Sequence, residues 1–224
     1  PYGLIVRHIS QIPEPPLISF CDALVDGECF MLDVGRDESY YNVFRPDFFR
    51  ASFRGEQFGM PSVFIPQFER AYQLHFPEKL KDSKAGKLPG QEKHMRHFIG
   101  YILAHDTHAW PNFGVSVSKY LKIMDNAGIT DDSAFYGYWQ PDSPVRTAGK
   151  MSDRIMVSAY AADNGALVIL MNDTDQPADV LLSLDSKVFG NSPALSDAES
   201  GKTLSGTAVS VPARDFRMIR IIKK

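Results

Sequence analysis

Apolar and polar positions along the 224-residue chain change rhythm near residue 130. Before that point, short apolar runs alternate with helical stripes and loops. Gly3 to Ser10 reads as a buried strand with polar residues at its exit, and Leu17 to Asp22 as a second, with Pro13, Pro15 and Pro16 leaving little room for a helix between them. Pro61 to Pro66 is a compact strand bracketed by prolines, and it leads into a short helix over Gln67–Leu74. A Lys/Gly loop from Lys79 to Gly90 precedes a helix opening near Gln91. That helix is expected to give way to a fourth strand, Phe98 to Ala104, ending in His105-Asp106. Val117, Tyr120, Leu121 and Met124 then form the i, i+3, i+4, i+7 stripe of an amphipathic helix that Gly128 stops.

Strands separated by helical or looping segments predict parallel β/α units. Four such strands in about 130 residues amount to half of an eight-unit barrel. Half a barrel has open edges, so the expectation is that the polypeptide continues upstream of Pro1 or packs on a partner chain. Past residue 150 the grammar is that of antiparallel strands: Arg154–Tyr160, a turn at Asp163-Asn164-Gly165, Ala166–Asn172, Ala178–Leu184, Lys202–Val211 and Phe216–Ile222. The fold class expected is therefore α/β plus β. Residues 1–130 form the C-terminal half of a (β/α) TIM-type barrel, 131–150 a connection, and 151–224 an antiparallel β-sandwich.

Composition narrows the function classes. Lys+Arg 24 against Asp+Glu 27 leaves a net charge of −3, and no basic block reaches five residues, so a nucleic-acid partner is disfavoured. No apolar run approaches the ~20 residues of a membrane span. Cys21 and Cys29 lack a zinc spacing and have no second pair to complete a thiolate site, and two free thiols are favoured over a disulfide. Aromatic residues reach 12%, many beside polar residues, a company that suits sugar stacking and core packing alike.

Side chains at strand exits line the active face of a parallel barrel. The strand reading makes these His8, Ser10, Asp22, Gln67, His105 and Asp106, with Glu28 close behind Asp22 in Asp26-Gly27-Glu28. Glycoside hydrolysis uses two carboxylates, one to protonate the leaving oxygen and one to attack or to activate water. Asp22, Glu28 and Asp106 are the candidates for that chemistry, and His8, Gln67, His105 and Trp110 for holding substrate. Asp37-Glu38 could serve a substrate-assisted mechanism, but no apolar strand stands before it and a solvated loop is the better reading. His105-Asp106-Thr107-His108 with His8 offers an incomplete metal set, so no metal and no cofactor is assigned. There is no Gly-x-Ser-x-Gly elbow and no phosphate-binding glycine loop. Asn172-Asp173-Thr174 is a glycosylation sequon.

The strings His8-Ile9-Ser10, Ser19-Phe20-Cys21-Asp22-Ala23 and Asp26-Gly27-Glu28 resemble bacterial glycoside-hydrolase-like proteins. Phe58-Gly59, Phe64-Ile65-Pro66-Gln67 and Leu103-Ala104-His105-Asp106 fit the same group, which is similar to glycoside hydrolase family 123 and related barrel glycosidases. The tail Pro212-Ala213-Arg214-Asp215-Phe216-Arg217 looks like the closing strand of a sandwich that follows such barrels. The resemblance implies a barrel with a C-terminal sandwich, a carbohydrate substrate, and a periplasmic or secreted setting. It extends to the matched positions His8, Asp22, Glu28, Gln67, His105 and Asp106. The adjacent Asp-Glu pair of family 123 is not placed by these motifs, and the upstream half of the barrel is missing. The alternative is a non-catalytic carbohydrate-binding or structural module.

Overall fold

The computed structural model of the chain describes residues 3–9, 14–36, 39–54, 60–81, 91–110, 117–149 and 154–223. Ser10, Asp37-Glu38 and Phe58-Gly59 lie outside the described residues, as does most of the Lys/Gly loop. The chain divides into two compact units, one of Pro1–Phe98 with His105–Ser116, the other of Ile99–Ala104 with Val117–Lys224.

The first unit is built on a four-stranded parallel sheet in the order β1 (Val6–His8), β2 (Ala23–Asp26), β3 (Ser62–Phe64) and β4 (His108–Ala109). The register pairs His8 with Val25, Val25 with Val63, and Val63 with His108. The neighbouring row pairs Arg7 with Leu24, Leu24 with Ser62, and Asp26 with Phe64. Alternate residues of a strand face opposite ways, so these two rows lie on opposite faces of the sheet. The face carrying Leu24 and Phe64 is the core face: Phe64 is fully buried, and its ring meets those of Tyr40, Phe44, Phe49, Phe53 and Phe98 at 4.9–6.0 Å between centroids. The pairs with Tyr40, Phe44 and Phe53 are edge-to-face, an arrangement that contributes about 0.5–1.5 kcal/mol each beyond area burial.

Two strand expectations fail here for definable reasons. Leu17–Asp22 is not a strand: α1 (Pro15–Ile18) occupies its start, because Pro15 and Pro16 stand at the first helical positions, where a missing N–H costs nothing. The strand proper begins one residue after Asp22. Phe98–Ala104 is likewise helical, the second half of α5 (Gln91–His105). A seven-residue apolar run buried all round carries no period that separates helix from strand. Between these elements lie a 3-10 helix (Glu28–Arg36), α2 (Pro46–Phe49), a π-helical turn (Arg50–Arg54), α3 (Phe68–His75) and α4 (Pro77–Lys81).

Besides Ile99–Ala104 of α5, the second unit holds α6 (Ser118–Ala127), which Gly128 closes in the left-handed conformation at φ +80°, its N–H donating to the carbonyls of Asp125 and Met124. The expected connection holds two strands, β5 (Phe135–Tyr136) and β6 (Val145–Ala148). They join β7 (Ile155–Ala162), β8 (Gly165–Asn172), β9 (Ala178–Leu184), β10 (Ala194–Asp197), β11 (Ala208–Val211) and β12 (Asp215–Ile222), with the short α7 (Ser186–Phe189) after β9. They form an antiparallel sheet in the order β10-β12-β8-β7-β5 and a second in the order β11-β9-β6. Val157, Val168, Leu170 and Ile219 of the first sheet share one core with Val145, Val180, Leu182 and Val211 of the second.

Every residue of β8 is buried, which explains its unbroken apolar run. Its other face is covered within the same unit. Gly100 lies against Met171 and Phe216, Tyr120 packs 5.4 Å from Phe216, and Ser158 and Tyr160 donate to the carbonyls of Ala104 and Leu103 at 2.6 and 2.8 Å. Asn172 of the sequon is fully buried and its amide donates to the carbonyls of Gln176 and Val211, so its nitrogen is engaged in closing the β8–β9 loop.

Candidate functional site

Strand direction sorts the candidate residues. In a parallel sheet all carboxyl ends fall on one edge and all amino ends on the other, and chemistry gathers at the carboxyl edge. His8 ends β1 and Asp26 ends β2, with Glu28 just beyond. Gln67 follows β3 and caps α3, its backbone N–H donating to the Tyr40 hydroxyl at 2.9 Å. Trp110 follows β4, continues the ladder by donating to the Phe64 carbonyl at 2.7 Å, and is 48% exposed. Four of the expected residues, His8, Glu28, Gln67 and Trp110, therefore share the carboxyl edge.

Asp22 and Asp106 do not. Asp22 precedes β2 and accepts the Ile5 amide at 2.7 Å, tying β1 to the amino end of β2. Asp106 follows α5 in the left-handed conformation (φ +53°), before β4, with its carboxylate 3.6 Å from the Arg54 guanidinium. The four residues of β2 lie between Asp22 and Glu28; at ~3.3 Å each that is about 13 Å, beyond the roughly 5–9.5 Å of either two-carboxylate mechanism. His105 is fully buried, its ring 5.0 Å from Phe49. The helical identity of 98–104 moves His105 and Asp106 from a strand exit to a helix end.

The one ionic contact at the carboxyl edge among the described residues joins His8 and Glu28. His8 Nε2 lies 3.4 Å from Glu28 Oε1, with both side chains partly exposed. A turn built for one residue type aims Glu28 at His8. Gly27 adopts φ +100°, and a Cβ placed on it would fall 2.4 Å from the Phe64 ring. Asp26 closes the turn by accepting the Gly27 N–H at 2.7 Å. Cys29 is adjacent; burial first, then the Glu28 and Asp26 carboxylates, push its thiol up from its ordinary value. Both cysteines are free. Among the described residues no cluster of His, Cys, Asp and Glu could hold a metal ion, and no helix is long and apolar enough to cross a membrane.

Residues 110–202 match the family model described as Glycoside hydrolase 123, C-terminal domain. That segment of the chain is similar to the C-terminal domain of a glycoside hydrolase. A noncanonic maltogenic α-amylase from Thermotoga neapolitana shares its fold with a TM-score of 0.50 at 11% identity, over 100% of this chain and 55% of the amylase. An α-amylase from Anoxybacillus gives 0.52 at 10% identity, over 99% of this chain and 52% of its own. At such identities the likeness is one of fold. The chain spans about half the length of these amylases. No curated protein matches it. Most of the matched segment lies in the second unit, and the His8–Glu28 contact lies at the carboxyl edge of the first.

Proposed function

We propose that this glycoside-hydrolase-like chain acts on a glycan at the carboxyl edge of its parallel sheet, with Glu28 moving the proton in glycosidic bond hydrolysis. The observation that carries the reading is the His8–Glu28 contact at 3.4 Å on the edge where Trp110 is half exposed. A carboxyl group in hydrogen-bond reach of an imidazole can be held in one orientation while it protonates a leaving oxygen or draws a proton from water. An exposed indole offers an apolar face to a sugar ring, and Gln67 adds an amide for hydroxyl groups.

The two-carboxylate mechanism needs a second acid. In this reading it comes from a further β/α segment that pairs with the outer edge of β1 and completes a TIM-type barrel, upstream in the same polypeptide or on a partner chain. The second unit is then the antiparallel β-sandwich that follows the barrel. Support comes from the exposure of all three β1 residues, unusual in a parallel sheet, and from the amylase chains being about twice as long.

A hydrolysis screen tests the proposal with aryl glycosides, N-acetylhexosaminides among them, comparing the chain with Glu28→Gln and with a form extended upstream. The expected result is activity that Glu28→Gln lowers by 10² or more. Activity that survives Glu28→Gln unchanged overturns the role of Glu28. Sugar binding without turnover in either form would favour a carbohydrate-binding module.

A further inference from the structure

Tight turns ordinarily go to glycine, proline, asparagine, aspartate and serine, each of which suits a bent backbone. The turn that follows β5 breaks this rule: its corner residues are Tyr138 and Trp139, between Gly137 and Gln140. The Gln140 N–H donates to the Gly137 carbonyl at 2.8 Å, and the Gln140 side-chain oxygen accepts the Gly137 N–H in return. The Tyr138 N–H donates to the Ser158 hydroxyl of β7 at 3.1 Å, and just beyond the turn the Arg146 guanidinium donates to the Pro141 carbonyl. All of these groups belong to the second unit. These bonds hold in one shape a turn for which its two corner residues have little preference of their own. Proteins break local sequence rules in this way at functional sites.

The rings of the turn are ordered too. A Cβ on Gly137 would fall 2.4, 2.5 and 2.6 Å from three adjacent atoms of the six-membered ring of Trp139. Near-equal distances to three atoms put the face of the indole, not its edge, over Gly137, an approach open only to a residue without a side chain. The opposite face of the indole then points away from Gly137. Tyr138 stands at 88° to the indole with ring centroids 4.9 Å apart, and Phe135 lies 6.0 Å from it. Phe135, Tyr138, Trp139 and Gln140 are half-buried, and Pro141 and Asp142 beside them are exposed.

We infer that the Tyr138–Trp139 turn is a second carbohydrate-contacting site, carried by the second unit, which takes one pyranose ring of a glycan against the two aromatic side chains. Tyrosine and tryptophan offer a large, rigid contact area at little cost in side-chain entropy, and the held turn removes the backbone cost as well. The Gln140 amide carries N–H donors of the kind that sugar hydroxyls accept. Two half-buried rings are far too small for a stable protein interface, which needs about 800 Å² from each partner, but they match the apolar face of one sugar ring. The segment that matches the glycoside hydrolase family model, residues 110–202, contains the whole turn. This inference rests on the reading that the chain acts on a glycan but not on the role of Glu28, and the experiment separates the two.

The chain has two tryptophans, Trp110 and Trp139, so each can be made the sole indole emitter. Trp110→Phe leaves Trp139 to report the turn, and Trp139→Phe leaves Trp110 to report the Glu28 site. Both proteins are titrated with maltotriose, with N,N′-diacetylchitobiose and with sorbitol, an acyclic polyol that has no ring face. Trp139 emission is expected to change along a saturation curve with one of the two oligosaccharides and to ignore sorbitol. In the same background Tyr138→Leu, which keeps an apolar residue at the corner, should weaken that binding about tenfold with the melting temperature of the second unit retained. A response of Trp110 with none from Trp139 would overturn the second site and leave the Glu28 site standing. A response of Trp139 alone would uphold the second site and count against the one at Glu28. Equal responses of Trp139 to sorbitol and to the oligosaccharides, or undiminished binding in a folded Tyr138→Leu protein, would overturn the aromatic contact. If neither indole responds to either oligosaccharide, the glycan reading falls and this inference with it.

Discussion

The Phe64 ring fills the space that any side chain at Gly27 would need: a Cβ there would lie 2.4 Å from Phe64 Cε2. Core and site are coupled at this point, because Phe64 is the centre of the aromatic cluster and Gly27 is the turn that presents Glu28. Gly27→Ala meets two penalties, a backbone at φ +100° and an overlap with a ring that cannot retreat. Together they should cost about 2–4 kcal/mol. Differential scanning calorimetry should show the first unit melting several degrees lower, and whatever activity Glu28 supports should fall further than stability alone explains. A Gly27→Ala protein with unchanged melting and unchanged activity would show that the turn is not what aims Glu28.

The buried Arg214 joins three segments of the second unit and should be its most sensitive charged position. Its guanidinium donates to Asp173 at 2.7 Å and to Asp175 at 2.9 and 3.3 Å, while its own N–H donates to the Thr174 carbonyl from a left-handed backbone at φ +52°. Tyr101 donates to the other oxygen of Asp173. Arg214→Ala leaves Asp173 largely buried without its cation and should cost about 3–5 kcal/mol in urea unfolding. Arg214→Lys should recover little, since an ammonium cannot reproduce the fork. Asp175 is 78% exposed on its side chain, so Asp175→Ala should cost no more than about 1 kcal/mol. Equal losses at Asp173 and Asp175 would refute this division.

Much of this architecture is legible before any coordinates, and where it is not the cause can be named. Asp163-Asn164-Gly165 announces the β7–β8 hairpin because Asp and Asn favour turns and Gly165 takes a positive φ of +154° just after them, and the pairing of Ala162 with Gly165 follows. Periodicity finds α6 for the same kind of reason, since only one of its faces is buried. β4 escapes detection because two residues, His108 and Ala109, carry no pattern at all. The run Lys202–Val211 contains only β11, and β10 goes unseen because Ala194–Asp197 ends in polar residues on a sheet edge. The placement of the candidate residues inherits these differences. Glu28, His8, Gln67 and Trp110 fall at the carboxyl edge, as expected of them, where strand exits are read rightly or where a neighbouring exit is close. Asp22, His105 and Asp106 are drawn in by runs whose helical character depends on proline placement and on all-round burial.

Alkaline pH should unfold both units through buried tyrosines. Burial pushes the Tyr40 hydroxyl well above its ordinary value of 10, against a smaller opposing pull from the Gln67 N–H. Burial does the same to Tyr101, reinforced by the charge and hydrogen bond of Asp173. Below pH 10 both residues are neutral in folded and unfolded chains, so neither makes stability depend on pH. Above it the unfolded chain releases a proton that the folded one retains, and stability falls by about 1.4 kcal/mol per pH unit for each residue. Circular dichroism and tyrosinate absorbance followed together from pH 9 to 12 should change in the same step for these residues. Tyr101→Phe should flatten the pH dependence of the second unit while costing about 1 kcal/mol at pH 7. Full tyrosinate absorbance near pH 10 with an unchanged circular dichroism spectrum would contradict the burial of both.

The outer edge of β1 should make the chain self-associate. Leu4, Ile5 and Val6 are 75, 53 and 43% exposed, and Leu17 and Phe20 of the adjoining segment 49 and 77%. On the inner edge, the Ile5 carbonyl accepts from Asp22 and Ala23, so the pairing with β2 is satisfied. The outer edge keeps backbone groups that another strand can bond, flanked by apolar side chains that water hydrates poorly. Burying even about 300 Å² of such surface against a second copy would contribute roughly 7 kcal/mol before the entropic cost of association, enough for weak dimers at high concentration. Sedimentation velocity over a hundredfold concentration range should therefore show a rising weight-average mass. Leu4→Glu with Phe20→Glu should abolish that rise without lowering the melting temperature, since neither side chain is in the core. A chain that stays monomeric throughout would mean that β1 is not a docking edge, and the barrel-completing segment would lose its principal support.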